Sequence, residues 1–423
     1  MARSPQPTQR KLVGALDVGS SKICALIAEA GPEGTLNILG TGQRLSRGVK
    51  RGYISDMAAC ETAIREAVEQ AERIAATRIE NVFVSYSAGG MTSDVADVAV
   101  EIGGRAIVQR DIDQLLEGGR AGINPGERIV LHAVPAFYTL DGLNGVKKPL
   151  GLHAETLAVD IHVVAATPAP VENLRRCVEA AYLGVEAIVA SPVAAGRACL
   201  SEEERELGVA LVELGHGVIN VAVFAAGQLA GLKTVPHGMC DIIDDIASTF
   251  GTRRTEAERI LAKYGSANTS PRDNHDMVEL APIAGGADGV ESIRITRAEL
   301  VAVIRRRLEG LTGEIAEALK QLGFSGPVGR QVVVTGGGAE MKGIADYLQG
   351  ALGRTVRVGG PSLPGLPDAH SSPRFTTLAG LALYAASDEL DLGRGLAKSM
   401  TKAAAKPTGG LLSRMIATLR GEY

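Results

Sequence analysis

The chain has 423 residues, 45% hydrophobic and 22% charged, which is enough for two or more folded domains with their own cores. No tryptophan, few other aromatics and 52 glycines favour small, tightly turned α/β units over a large sandwich. A net charge of −4 argues against nucleic acid as the main partner, since such domains usually carry a basic excess.

The opening MARSPQPTQRK lacks the apolar run of a secretory signal. No stretch of about eighteen apolar residues is present to span a membrane. KLVGALDVGSSKICALIAEA then reads as a strand, a Gly/Ser turn and a second strand, a hairpin. DMAACETAIREAVEQAERIAAT is an amphipathic helix with Asp56 as its N-cap. NVFVSYSAGG and MTSDVADVAVEI suggest strands. TPAPVENLRRCVEAAYLG is a helix expected to end at Gly184, and VEAIVASPVAAGRACL returns to strand and then helix. Cys24, Cys60, Cys177, Cys199 and Cys240 show no paired spacing, which fits reduced thiols in a cytosolic protein.

At GVALVELGHGVINVAVFAAG the chain repeats its first hairpin. Each copy has an apolar strand, an acid (Asp17, Glu213), a glycine two residues later (Gly19, Gly215) and a second strand. The copies suggest a duplicated domain. A third element, RQVVVTGGGAEMKGIADYLQGALG, is a strand, a triple-glycine turn and a helix. It fails as G-x-G-x-x-G because Met341 takes the last position, and no P-loop motif occurs elsewhere.

Two acid-x-Gly hairpins and one strand–GGG–helix turn, in this order, resemble the actin superfamily. In such an arrangement two pseudo-symmetric hairpins close on phosphates, and glycine lets the backbone approach. The resemblance implies ATP and Mg²⁺ as cofactors. Asp17, Gly19, Ser20, Ser21 and Lys22 would form the first phosphate loop, and Glu213, Gly215, His216 and Gly217 the second. Glu258 would also bind nucleotide, and Gly336, Gly337, Gly338 and Ala339 would form the adenosine turn. Asp17 and Glu213 would hold waters of the metal.

The region between the hairpins is similar to the extra subdomain of the FtsA family of bacterial division proteins. VPAFYTLDGLNGVKKPLGLHAETLAVDIHVV is its most specific stretch, with VPHGMCDIIDDIASTF and EAERILAKYGSA matching later elements. The expected architecture is a two-domain actin-like α/β fold of duplicated RNase H-like units. It comprises a disordered tail (1–10), a first core domain (11–81, 166–205 and 360–390) and an inserted subdomain (82–165). A second core domain (206–232 and 324–359) with a smaller lobe (233–323) follows, then a flexible basic linker (391–408) and an amphipathic membrane-targeting helix (409–423).

GGLLSRMIATLRGEY closes the chain. On a helix at 100° per residue, Leu411, Leu412, Met415, Ile416 and Leu419 form an apolar stripe about 140° wide, with Arg414 and Arg420 beside it. A basic tether precedes it. Basic side chains near anionic lipid contribute about 1 kcal/mol each, so a surface anchor is expected, rather than a helix docked back on the protein.

Family membership would imply an ATP-binding protein that polymerises, anchors FtsZ polymers through the FtsZ C-terminal tail at the cytoplasmic face of the division site, and recruits later division proteins. Arg305, Arg306 and Arg307 could meet that acidic tail, although such a run also reads as a solvated helix face. Relatives usually carry Asp at Glu213, Gly or Asp at His216, Thr at Val218 and Lys at Leu261, with Lys263 two residues on here. These departures imply binding with weak or absent hydrolysis. His216 also reads as a loop histidine without a role. Rival readings are a small-metabolite kinase of the superfamily and an actin-like pilus-assembly scaffold.

Overall fold

A computed structural model describes residues 11–31, 34–282, 292–324, 331–387 and 390–394. The C-terminal amphipathic segment and most of the basic tether lie outside them. Among the described residues no helix is long and apolar enough to cross a membrane.

Two five-stranded sheets share one plan. The first runs Gly184–Ala190, Asn81–Tyr86, Lys11–Val18, Lys22–Ala30, Leu36–Leu45, and the second Val356–Val358, Gln331–Thr335, Val209–Leu214, Ile219–Ala225, Gln228–Val235. In both, the middle strand pairs antiparallel with the rest of its meander and parallel with a later strand. The register repeats as well, with Asp17 opposite Cys24 and Glu213 opposite Asn220. The duplication expected from the hairpins is therefore a duplication of whole sheets.

Both faces of the first sheet are covered. Leu16, Ile23 and Val84 pack under the helix Met57–Ala75, which Asp56 caps by accepting from the Ala59 amide. Ala15, Leu26 and Phe83 face the helix Thr376–Ala386. That helix and Ser191–Cys199 form a layer leading to the second sheet, where Leu211, Phe224 and Val333 close the core. The outer face of the second sheet packs on Met239–Phe250 and the long helix Arg297–Gln321. Thr296 and Glu299 start the long helix by exchanging backbone and side-chain hydrogen bonds.

A separate four-stranded sheet, in the order Thr92–Glu101, Thr156–Ala166, Ile129–Leu140, Leu143–Val146, carries the helix Gln109–Gly122 over its own core of Leu115, Leu157, Val159 and Ile161. Strand Asn81–Tyr86, whose residues from 82 onward were expected in the insert, instead lies between two strands of the first sheet, because its alternate residues Val82 and Val84 fill that sheet's core. The helix expected to end at Gly184 ends at Ala180. Tyr182 takes the left-handed turn (φ 65°), and Gly184 opens the next strand.

The start of the expected flexible linker is seated. Asp391 is buried and accepts from the Tyr384 hydroxyl (2.7 Å), the Ala133 and Gly393 amides (both 2.9 Å) and His132 Nδ1 (2.8 Å). His132 Nε2 accepts from the Ala190 amide (2.9 Å), so Nδ1 carries the proton.

The two inter-sheet helices meet at Gly380, where a Cβ would lie 1.8 Å from the Ala194 carbonyl oxygen. Gly380→Val should therefore lower stability by about 3 kcal/mol, read as a reduced denaturant midpoint with an unchanged slope.

Candidate functional site

A cleft of about 1070 Å³ opens between the two sheets. Asp17 and Glu213, at matching positions near the ends of the two central strands, both line it. Each strand is followed by a turn closed in the same way, Gly19 N–H donating to the Lys22 carbonyl and Gly215 N–H to that of Val218, both at 3.1 Å. Every residue expected to bind phosphate in the two loops borders the cleft, as do Glu258, Gly336, Gly337 and Gly338. Gly336 adopts φ 84°, a left-handed turn that glycine makes without strain. Ala339 does not reach the cleft. The short helical turn Gly337–Glu340 buries its methyl in the core of the second half, and Glu340 lines the cleft instead.

The second loop is held from behind. The carbonyls of Gly215 and His216 accept from the Met239 and Cys240 amides at the start of Met239–Phe250. The Asp241 carboxylate caps the same helix by accepting from the Gly238 amide at 2.8 Å. The two loops also touch: a Cβ on Gly217 would lie 2.9 Å from Ser20 Oγ.

The two acids differ in environment. Glu213 is buried and its oxygens accept from Ser191 (2.6 and 2.7 Å), Thr377 (2.5 Å) and Asn220 (2.8 Å). Three donors occupy most of the four lone-pair sites of a carboxylate. Among the described residues Asp17 accepts from Ser85 Oγ alone, at 2.6 Å. Burial, with a contribution from the neighbouring Glu213, lifts its pKa to about 6, against the effects of Ser85 and Lys22.

Lys22 is the most exceptional group. Its ammonium nitrogen is buried, has no hydrogen-bond partner among the described residues and lies 3.3 Å from the centroid of the Phe375 ring. Burial lowers its pKa to about 8. A buried ammonium held by one aromatic face is short of three acceptors. An anion entering the cleft would supply them. His216 also borders the cleft, and burial holds its imidazole below the ordinary value, toward the neutral form. Leu261 and Lys263 both line the cleft.

Ser191, Thr377, Arg374 and Arg297 also belong to the cleft, and no sequence motif marks them. Ser191 and Thr377 stand at the starts of the two inter-sheet helices, 22 and 164 positions from the Glu213 they serve. Of the arginine run, Arg305 donates to the Ala267 carbonyl (2.5 Å) and Arg307 pairs with Asp245 (2.7 Å), leaving Arg306 exposed. Two of the three are thus committed within their own lobe.

Comparison with known proteins places this arrangement. The family model described as "Cell division protein FtsA" matches residues 210–380, and "SHS2 domain inserted in FTSA" matches 89–165. The chain is 34% identical to the cell division protein FtsA of Rhizobium meliloti, over 90% of this chain and 88% of that one. It is 30% identical to the Escherichia coli K12 protein of the same name, over 98% and 99%. Among solved structures, the "PilM-PilN type IV pilus biogenesis complex" superposes with a TM-score of 0.63 at 18% identity, covering 89% of this chain and 99% of that one, a likeness of fold. The fold is actin-like.

Ser191→Ala should cost about 2 kcal/mol, because a buried carboxylate loses a charge-assisted donor. Urea unfolding at neutral pH measures it.

Proposed function

This chain belongs to the FtsA family of cell-division proteins, and from that membership and the cleft we propose that it binds ATP between its two halves and polymerises in an actin-like way. It lies on the cytoplasmic face of the membrane at the division site. There it anchors FtsZ polymers by their C-terminal tail and recruits later division proteins. Neither a kinase nor a pilus scaffold is favoured: the family match runs over nearly the whole chain, whereas the likeness to the pilus complex is one of fold.

The observation that supports nucleotide binding is the ammonium of Lys22, the residue that closes the first glycine turn at the cleft, buried and without a hydrogen-bond partner among the described residues. Lys22 would neutralise phosphate charge, with Ser20, Ser21 and the turn at Gly215–Gly217 around the same group. Gly336, Gly337 and Gly338 offer bare backbone to the adenosine. Among the described residues no three acids, histidines or cysteines gather to hold a metal. Mg²⁺ would therefore arrive on the phosphates, as it commonly does, with Asp17 as its carboxylate through water. Its chemistry would be charge neutralisation.

Hydrolysis is expected to be weak. Glu213 is occupied by three donors, Val218 has no hydroxyl, and burial favours neutral His216. That suits a scaffold whose nucleotide sets the relation of the halves.

Leu411, Leu412, Met415, Ile416 and Leu419, flanked by Arg414 and Arg420, would insert into anionic lipid. Polymerisation makes many weak helices act together. Full-length chain should carry FtsZ down with anionic vesicles in the presence of ATP, and chain truncated after Lys406 should not. If both leave FtsZ in the supernatant, the tether reading fails.

The lowered pKa of Lys22 sets a pH dependence. With no anion bound the ammonium is present below about 8 and lost above it. ATP affinity should fall as pH rises from 8 to 10. Lys22→Met should bind about tenfold or more weakly at pH 7 and show no such slope, by calorimetry. A wild-type affinity that is flat through this range would remove Lys22 from the phosphate site.

A further inference from the structure

The turn Val49–Ile54 touches both phosphate loops, although it belongs to neither. Gly52 N–H donates to Ser20 Oγ of the first loop at 2.9 Å. The Cα of Arg51 lies where a Cβ on Gly217, in the second loop, would come within 2.7 Å. Arg51 itself holds φ 49°, a left-handed conformation that a residue with a Cβ keeps only when its surroundings impose it. Gly52 follows at φ 79°, packed so that a Cβ would meet the Ser87 carbonyl at 1.8 Å. Ser87 Oγ in turn accepts from Asn220 of the second sheet at 2.8 Å. The turn is thus wedged at the seam between the halves.

What pins it is the Arg51 side chain. Its guanidinium crosses the seam to the second half, donating to the Pro236 carbonyl (2.5 Å) and to both oxygens of Asp241 (2.6 and 3.3 Å). Asp241 is the residue that caps the helix behind the second loop. One side chain therefore ties a turn resting on the first loop to the helix that fixes the second. A two-pronged arginine–carboxylate pair restricts orientation as well as distance, which a single contact does not.

We propose that Arg51 is a positioning residue that sets the closure of the two phosphate loops, so that the closed, anion-ready arrangement is built before nucleotide arrives. The ATP part of this rests on the nucleotide reading above; the closure part does not. Arg51 stands outside the residues that line the cleft, so it acts through Ser20 and Gly217 rather than by touching the ligand. A site whose competent state is already populated binds without a conformational penalty, and loss of the latch reintroduces it.

The test compares wild-type chain with Arg51→Ala, Asp241→Ala, their double variant and Asp241→Asn, in two measurements. The first is small-angle scattering without nucleotide, where Arg51→Ala should show a larger radius of gyration than wild type. The second is Mg-ATP affinity by calorimetry, where Arg51→Ala should bind about tenfold more weakly if the closed state falls to about a tenth of the population. The double variant should lose no more than the worse single, because the two act as one unit. That cycle subtracts the helix cap that Asp241→Ala also removes. Asp241→Asn keeps an oxygen for the Gly238 amide and weakens only the bridge, so it decides the matter if Arg51→Ala fails to fold. Unchanged scattering and affinity in Arg51→Ala and Asp241→Asn overturn the proposal, and so do losses that simply add. If wild type binds no ATP, the nucleotide reading fails while the scattering comparison still decides closure.

Discussion

A buried carboxylate must be given donors, and meeting that demand at Glu213 organises the centre of the molecule. Its partners come from the second sheet (Asn220) and from the first turns of two helices that lie between the sheets (Ser191, Thr377). Asn220 also reaches Ser87 at the end of a first-sheet strand. One buried carboxyl group thus draws in both halves and the layer between them, and leaving any donor out strands a polar group in the interior. Gly380 serves the same end, since only a missing side chain lets the two donor-bearing helices approach so closely.

The opposite condition holds in the first loop. Lys22 is under-satisfied where Glu213 is well supplied, its ammonium facing one aromatic ring and no acceptor among the described residues. Asp17, symmetry mate of Glu213, has a single side-chain donor among the described residues and a raised pKa. The duplicated fold has therefore diverged at equivalent positions: one copy of the hairpin is finished as structure, and the other is left short of partners. Unmet electrostatic demand in a cleft marks the place where a ligand's charge stabilises the protein.

The inserted sheet and the start of the C-terminal segment obey the first rule. Asp391 is satisfied by Tyr384, His132 and two amides, so residues 391–394 are bound where composition alone suggests a loose tether. Because His132 sits in the inserted sheet and passes its other nitrogen to Ala190 of the first sheet, the departure point of the tail is tied to both units.

Local chemistry in the sequence was sufficient for much of this. Strand–turn–strand periodicity, an acid two residues before each glycine and the GGG turn are short-range patterns, so the hairpins, the duplication and nearly all the loop residues were legible, as was the cap at Asp56. Pairing across long separations was not. Nothing near Ser191 or Thr377 announces that they serve a carboxylate in another domain, nor does anything near Arg51 point to Asp241, 190 positions on. The strand Asn81–Tyr86 reads equally well as insert or core until its neighbours are known, and Ala339 follows three cleft glycines yet turns inward. Periodicity determines which segments are strands and helices; which buried charges find which donors is decided only when the chain closes on itself, because that accounting is made over the whole interior at once.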